Sequence, residues 1–350
     1  MTRRNVLTAA VGAGAIGAGV AALRNNGRKQ LPDQDRFSDP LLNPPEVEPE
    51  VIDVTSSDGT KLHVVAYGRA DADPIVLSHG WTCRIEYWNP QINALAGDYR
   101  VIAYDQRGHG SSAMGDQRFS ADVLADDLAA VLAATVSPDR KAVVAGHSMG
   151  GISVLAWAGR YPEQVRRYAG AVLLANTAVD RLVADSKLIP KPANAPDMPL
   201  IAGRIVLGTP LPLPILPVTR ALFRSRVMSP GATDEQVDFA QRIVFGCAPR
   251  VRGRWGTALT RVNVREALAH LDVPTSVITG SLDNLLPPVH SERLAEELDR
   301  AGVLSRSEVL PGIGHLANIE AADQVNSELI RLAALARTDD ESTQSVSSVS

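Results

Sequence analysis

Cysteine is scarce in this chain, since only Cys83 and Cys247 occur among its 350 residues. Two isolated thiols build neither a disulfide framework nor a paired-cysteine zinc motif, although a single bridge stays open for an exported protein. A basic excess is also missing, because the formal net charge is -4, and this argues against a nucleic-acid partner. The chain contains no P-loop and no internal repeat. The apolar content of 45% and charged content of 21% fit a globular protein.

The amino terminus has a different composition from the rest. Residues 1–24 begin with Arg3 and Arg4 and then run uncharged from Asn5 to Leu23. A basic start before an apolar stretch predicts an export signal or membrane anchor, and Thr-Arg-Arg-Asn-Val-Leu resembles the twin-arginine signal. The stretch is barely long enough to cross a bilayer and is rich in glycine. We therefore expect an exported or cell-envelope protein, with a cytoplasmic location as the alternative.

Two other segments lie outside the expected catalytic body. Residues 25–50 are polar and rich in proline, which predicts an extended linker or a strap along the surface. Residues 337–350 are polar and low in hydrophobicity, which predicts a disordered tail.

From residue 51 the chain alternates between strand-like and helix-like segments. VIDVTS and KLHVVAYG predict a hairpin across an SDGT turn. Short continuous apolar runs, typical of strands buried on both faces, follow as PIVLS, RVIAYD, KAVVAGHS, GAVLLANT and PTSVITG. Segments of helical spacing separate them, including one for which Ser120 is the expected N-cap. This order predicts an α/β fold with a doubly wound, mostly parallel sheet over residues 51–178 and 271–336.

Residues 179–270 interrupt this alternation. They contain no clear buried strand, and LGTPLPLPILPVTRALF is rich in proline and nearly uncharged. A structureless loop of this length is implausible in a compact domain, so an inserted, mostly helical cap is predicted. Its apolar face has three open roles: lining an acyl pocket, touching a membrane, or packing on the sheet.

GHSMGG at residues 146–151 lies between a strand-like and a helix-like stretch. The pattern G-x-S-x-G is weak alone, but this context predicts a sharp strand-to-helix turn that exposes the hydroxyl of Ser148. The turn requires a strained serine backbone with positive φ and small neighbours. The amino terminus of the following helix adds N–H groups where an oxyanion would form.

A serine hydroxyl needs a base, and the base needs an orienting acid. Asp283 follows the strand PTSVITG, and His315 lies in the loop LPGIGHLANIE before the last helix. The order Ser148, Asp283, His315 is the one expected of a triad on a doubly wound sheet. Asp180 stays open as a rival acid, and His290 is a weaker candidate base.

An oxyanion hole needs a second backbone N–H from the loop after an early strand. PIVLSHGWTCRIEYW turns at His79 and Gly80, which makes Trp81 the expected donor beside the N–H of Met149. His79 is interpreted as structural, since the triad already has its histidine.

These segments resemble the α/β-hydrolase fold family over about residues 51–336. The resemblance rests on HGW at 79–81, DQRGHGSS at 105–112, GHSMGG at 146–151, GSLD at 280–283 and GH at 314–315. GHSMGG is especially similar to monoacylglycerol lipases and related esterases. The resemblance implies that Asp105, Arg107 and His109 hold a loop together by hydrogen bonds, with a substrate role as the alternative.

The resulting hypothesis is a serine hydrolase that cleaves carboxylic esters, with lipid acyl esters among the candidates, through an acyl-enzyme intermediate and without a metal or cofactor. Epoxide hydrolases and haloalkane dehalogenases of this family carry aspartate where this chain has Ser148, which discounts them. Cofactor-free haloperoxidases or perhydrolases and carbon-carbon bond hydrolases keep the serine and stay open, as does a non-catalytic ligand-binding member. The expected partner is a small-molecule or lipid ester, and the amino-terminal segment and apolar cap are candidates for membrane association.

Overall fold

The computed structural model describes residues 36–182, 184–187 and 215–347, with side chains up to residue 337. The chain divides into a unit of residues 1–36 and a unit of residues 37–350, and the second carries the fold. The predicted export signal or anchor at 1–24 and the most proline-rich part of the insertion lie outside the described residues.

Eight strands form one mixed sheet. In sequence they are β1 (Glu50–Thr55), β2 (Lys61–Tyr67), β3 (Pro74–Ser78), β4 (Arg100–Tyr104), β5 (Ala142–His147), β6 (Ala169–Ala175), β7 (Thr275–Gly280) and β8 (Leu304–Leu310). Their order across the sheet is β1-β2-β4-β3-β5-β6-β7-β8. The predicted hairpin of β1 and β2 is antiparallel, β2 also pairs antiparallel with β4, and the remaining pairs are parallel.

Ten α-helices accompany the sheet in the described part of the chain. They are α1 (Asn89–Leu95), α2 (Ala121–Thr135), α3 (Met149–Arg160), α4 (Pro162–Tyr168), α5 (Pro217–Arg226), α6 (Asp234–Gly246), α7 (Pro249–Leu259), α8 (Val289–Arg300), α9 (Ala317–Glu320) and α10 (Ala322–Ser347). Ser120 caps α2 as expected, because its side chain accepts a hydrogen bond from the N–H of Val123. The eight-stranded, mostly parallel sheet and its accompanying helices confirm the prediction of a doubly wound sheet.

The central strands are apolar throughout because helices cover both of their faces. β3, β5, β6 and β7 are buried at every position. Two hydrophobic clusters form, one containing Leu128 and Trp157 and the other Ile92 and Leu329. This two-sided burial fixes the strand ends at which the candidate site residues lie.

The insertion between β6 and β7 is helical where the structure describes it, with α5, α6 and α7 followed by a 3-10 helix at Arg265–His270. Residues 37–43, which belong to the predicted linker or strap, contact this insertion. Phe37 packs edge-on against Phe239 at 5.9 Å between ring centroids, and Ser38 bonds the carboxylate of Glu235. No described helix is both long and apolar enough to cross a membrane.

One expectation from the sequence differs from the structure, and one strand was not predicted. The tail predicted as disordered from residue 337 continues α10 to Ser347, because extending a helix that is already anchored by packing costs little. β8 escaped prediction because it is an edge strand whose LSRSEVL sequence is mostly polar, with only Leu310 buried. The two thiols left open for a bridge, Cys83 and Cys247, are both free.

Candidate active site

The three candidate catalytic side chains follow the carboxyl ends of three strands. Ser148 follows β5, Asp283 follows β7 and His315 follows β8, and these strands lie in the order β5-β6-β7-β8. Parallel strands place their carboxyl ends at one edge of a sheet, so residues distant in sequence converge there.

Ser148 occupies the sharp turn between β5 and α3. Its φ of 54° and ψ of -117° lie outside the favoured regions for a residue with a side chain. A Cβ at Gly150 would overlap the carbonyl oxygen of Ser78, and one at Gly146 would overlap that of Gly150. The glycines therefore permit the close crossing of strand and helix that lifts the hydroxyl above the sheet.

A continuous hydrogen-bond chain joins the three side chains. His315 Nε2 lies 3.0 Å from Ser148 Oγ, and His315 Nδ1 lies 2.7 Å from Asp283 Oδ2. Asp283 and His315 are buried, whereas Ser148 is partly accessible. In the tautomer with hydrogen on Nδ1, His315 donates to Asp283 and its Nε2 accepts from the hydroxyl of Ser148. This is the arrangement that turns a serine into a nucleophile.

The carboxylate of Asp283 is held by three further donors. Its Oδ1 accepts from the N–H groups of Leu285 and Leu286, each at 2.9 Å. Its Oδ2 also accepts from Asn176 Nδ2 at 3.0 Å. Asn176 directly follows β6, has a φ of 45° and also donates to the carbonyl of Gly314 at 3.2 Å. It therefore links the acid to the histidine loop, a role that GAVLLANT did not reveal.

The rival candidates have other partners. Asp180 Oδ2 bonds Arg265 Nε at 3.2 Å, away from the histidine. His290 is buried near the start of α8 and lies 3.8 Å from Asp185. The structure thus brings His315 to Asp283 rather than to Asp180.

Trp81 and Met149 supply backbone N–H groups beside Ser148. Neither N–H has an acceptor within the described part of the chain, and Met149 is the first residue of α3. A Cβ at Gly80 would lie 3.3 Å from Ser148 Cβ, which shows how closely this loop approaches the serine. Unpaired N–H groups at this position suit a developing oxyanion.

The loop that carries Trp81 is fixed to the loop after β4. His79 Nδ1–H donates to Gly80 O at 2.8 Å, and its Nε2 accepts from Gln106 N–H at 3.0 Å. His109 Nε2 accepts from the N–H of Thr82, a residue in the left-handed region at φ 68°. Burial lowers the pKa of His79 to about 3 and that of His109 to about 4, so both remain neutral acceptors. The expected structural role of His79 agrees with these contacts.

Asp105 and Arg107 have structural partners as well. Asp105 accepts from the N–H groups of Ile85 and Ser111, at 2.9 and 2.8 Å. Arg107 is 1% exposed and forms ion pairs with Asp127 at 2.6 Å and Asp58 at 2.5 Å. Removing one partner of such a buried pair leaves an uncompensated charge, at a cost of about 3–5 kcal/mol. These contacts support the loop-holding role that the family resemblance implies.

His147, which precedes Ser148, contacts the backbone of the catalytic base, His315. Its Nε2–H donates to the carbonyl oxygen of His315 at 2.8 Å. Its Nδ1 accepts from the hydroxyl of Tyr87 at 3.1 Å. Burial lowers the pKa of His147 well below its ordinary value, so it stays uncharged. Sequence reasoning missed this residue because G-x-S-x-G leaves its position unspecified.

Glu320 binds the backbone of the loop that carries His315. Its carboxylate accepts from Gly314 N–H and Leu316 N–H, both at 3.3 Å, and from Ser229 N–H at 2.8 Å. The N–H of His315 itself donates to Val227 O at 2.8 Å. Burial raises the pKa of Glu320, while the three N–H donors act against that change. The segment after α5 and the histidine loop are thus tied together by one carboxylate.

We expect Glu320→Gln to lower kcat by about tenfold with little change in KM. The amide keeps one acceptor oxygen but turns an NH₂ group toward a backbone N–H, and a small displacement of His315 is costly for proton transfer. Steady-state kinetics on a carboxylic ester would measure the effect. Glu296→Gln, at an exposed position on α8, is the matched control, and an unchanged kcat in a folded Glu320→Gln enzyme would contradict the positioning role.

Within the described ranges, no group of three or more histidine, cysteine, aspartate or glutamate side chains is arranged to hold a metal ion.

Comparison with known proteins identifies the family. Residues 75–328 match the sequence profile described as the alpha/beta hydrolase family. A non-heme haloperoxidase from Rhodococcus erythropolis is 30% identical over 280 residues, which span 79% of this chain and 97% of the relative. A bifunctional esterase/perhydrolase from Acinetobacter calcoaceticus is 28% identical over 284 residues, 79% and 97% of the two chains. This chain belongs to the alpha/beta hydrolase family.

The fold comparison agrees. A thermophilic esterase from Thermogutta terrifontis superimposes with a TM-score of 0.64 at 21% identity, over 83% of this chain and 99% of that one. The family match and the curated relatives together show that the protein is an enzyme of the serine hydrolase type, with hydrolytic activity.

Proposed function

We propose that this enzyme hydrolyses carboxylic esters of small molecules through an acyl-enzyme on Ser148. The observation that carries the proposal is the hydrogen-bond chain from Ser148 Oγ through His315 to Asp283, at 3.0 and 2.7 Å. The backbone N–H groups of Trp81 and Met149, which have no acceptor among the described residues, lie beside the serine. Nucleophile, base, acid and oxyanion donors are the complete set that acyl transfer requires.

In the first half-reaction, Ser148 Oγ bonds the ester carbonyl carbon while its proton passes to His315 Nε2. The carbonyl oxygen becomes an oxyanion bound by the N–H groups of Trp81 and Met149. The carbon–oxygen bond to the alcohol then breaks, and His315 protonates the departing oxygen. In the second, water gives a proton to His315 and its oxygen attacks the acyl carbon, so the carboxylic acid leaves and Ser148 regains its proton. Asp283 keeps hydrogen on Nδ1 throughout.

The proposed substrates are small-molecule carboxylic esters, with lipid acyl esters among the candidates. Relatives named as esterases support an ester substrate. A panel of p-nitrophenyl esters with graded acyl length, together with a monoacylglycerol, tests this. Labelling by a fluorophosphonate without turnover of any ester in the panel would refute the proposal.

Perhydrolysis is the second candidate activity, because relatives that match 79% of this chain are named haloperoxidase and esterase/perhydrolase. Hydrogen peroxide would replace water in the second half-reaction and release a peracid instead of an acid. Adding peroxide to an acetate ester assay and measuring peracid separates the two. Carbon–carbon bond cleavage is tested in parallel with a diketone substrate.

We also propose export, on the sequence of residues 1–24 alone, with Arg3 and Arg4 as the required pair. Arg3→Lys/Arg4→Lys should retain the protein in the cytoplasm, measured by fractionation of cells, and a wild-type protein found only in the cytoplasm would refute export. Membrane association through this segment or the cap would appear as partitioning into detergent.

A further inference from the structure

A concave region is lined by residues that do not belong to the candidate active site. It is a cleft of about 1020 Å³ between α7 and the segment that leads into α2. None of its lining residues belongs to the triad or to the oxyanion loop. Its size is that of a small-molecule site.

Arginine dominates the charge of this cleft, hereafter the arginine cleft. Arg118 lines it from the α2 side, and Arg250, Arg254 and Arg261 line it from the α7 side. Two acidic residues, Asp116 and Asp122, also line it, and Asp122 lies 4.0 Å from Arg160. The cleft is thus net positive in a chain whose formal charge is -4.

These arginines differ from most others in the described chain, which form ion pairs with carboxylates. The side chains of Arg118, Arg250 and Arg261 form no hydrogen bond or ion pair with another described residue. Arg254 contacts an aromatic ring and a thioether instead of a carboxylate. Its guanidinium lies 5.8 Å from the centroid of the Phe119 ring and donates to Met114 Sδ at 3.0 Å. The positive charge of these arginines in one cleft favours the binding of an anionic ligand.

The walls of the cleft are held by packing contacts and offer further donors. On α7, Arg250, Gly253, Arg254, Thr257 and Ala258 follow the i, i+3, i+4 spacing of one helix face. Trp255 fixes the helix by stacking on Phe119 at 4.4 Å and donating to Arg107 O at 2.9 Å. On the opposite wall, the N–H groups of Ala121 and Asp122 at the start of α2 have no acceptor among the described residues.

We propose that the arginine cleft binds a ligand carrying a phosphate group. Guanidinium groups donate paired hydrogen bonds that match phosphate oxygens, and several of them around one cleft suit an anion with more than one charge better than a single carboxylate does. The source is either a free phosphate compound or a phosphate head group of a lipid. This inference is independent of the ester chemistry at Ser148.

The test uses the whole chain and inorganic pyrophosphate as the probe, with calorimetric titration at two salt concentrations. Arg250→Ala/Arg261→Ala removes two exposed, unpaired charges from the cleft, and we expect its affinity to fall by about tenfold or more. Arg140→Ala/Arg167→Ala removes the same charge elsewhere on the surface and should keep wild-type affinity. The wild-type affinity should also weaken more steeply with salt than that of the cleft variant.

Vesicles distinguish the two sources. Sedimentation with phosphatidylglycerol and with phosphatidylcholine vesicles is compared for the same proteins, and loss of binding in the cleft variant assigns a lipid head group. Pyrophosphate binding alone assigns a free phosphate compound. Equal affinities of the two double variants, or no binding of either probe by the wild type, would overturn the proposal. Equal thermal unfolding and equal fluorophosphonate labelling show that each variant is folded.

Discussion

Replacing Ser148 by alanine is expected to lower kcat/KM for an ester by at least about 10⁴-fold. The variant keeps the turn, since alanine meets the same φ of 54°, but it loses the atom that bonds the acyl carbon. A small residual rate is expected, because the N–H groups of Trp81 and Met149 can still bind an oxyanion formed by water attack. Ester hydrolysis and fluorophosphonate labelling measure the loss.

Ser307→Ala, at an exposed position on the edge strand β8, is the matched control and should retain wild-type rates. Retained labelling or full esterase activity in Ser148→Ala would refute the assignment of the nucleophile. Binding of an ester without turnover by the wild-type enzyme would instead favour the non-catalytic, ligand-binding alternative.

Replacing Asp283 by asparagine is expected to cost about 10³- to 10⁴-fold in kcat. The carboxylate accepts the Nδ1 hydrogen of His315 at 2.7 Å, and an amide that donates there would favour the tautomer with hydrogen on Nε2. That tautomer cannot accept the proton of Ser148. Because Asn176 Nδ2 donates to the same carboxylate oxygen, the substituted amide also meets a second donor.

Asp180→Asn provides the matched control, since Asp180 bonds Arg265 rather than His315. We expect it to stay within about twofold of the wild type in kcat, because Asp180 is bound to Arg265 and takes no part in the hydrogen-bond chain of the triad. Equal losses in both variants, or a loss in Asp180→Asn alone, would reassign the acid. The ratio of the two kcat values is therefore the quantity to measure.

The sequence predicted the features that depend on local patterns. Continuous apolar runs predicted the buried strands, and the chain order of Ser148, Asp283 and His315 predicted residues that the structure then brings together. Glycines at 146 and 150 predicted the tight turn, because a side chain there has no room. Each of these signals lies within a few residues of the feature it predicts.

What escaped prediction depends on contacts between distant segments. Asn176, Tyr87 and Glu320 act on the triad through hydrogen bonds whose partners lie on other strands and loops, and no spacing in the sequence marks them. The edge strand β8 escaped because an exposed strand lacks the apolar run used to recognise its neighbours. The arginine cleft escaped because its two walls, near residues 118 and 254, come together only in the folded chain.

The placement of the triad on three strand ends has a consequence for how this enzyme matures. Ser148 and His315 are separated by 167 residues, so a nascent or partly assembled chain holds a serine hydroxyl without its base. We expect such a chain to be inactive toward esters, so recovery of turnover during refolding would report the docking of the carboxyl-terminal strands onto the sheet.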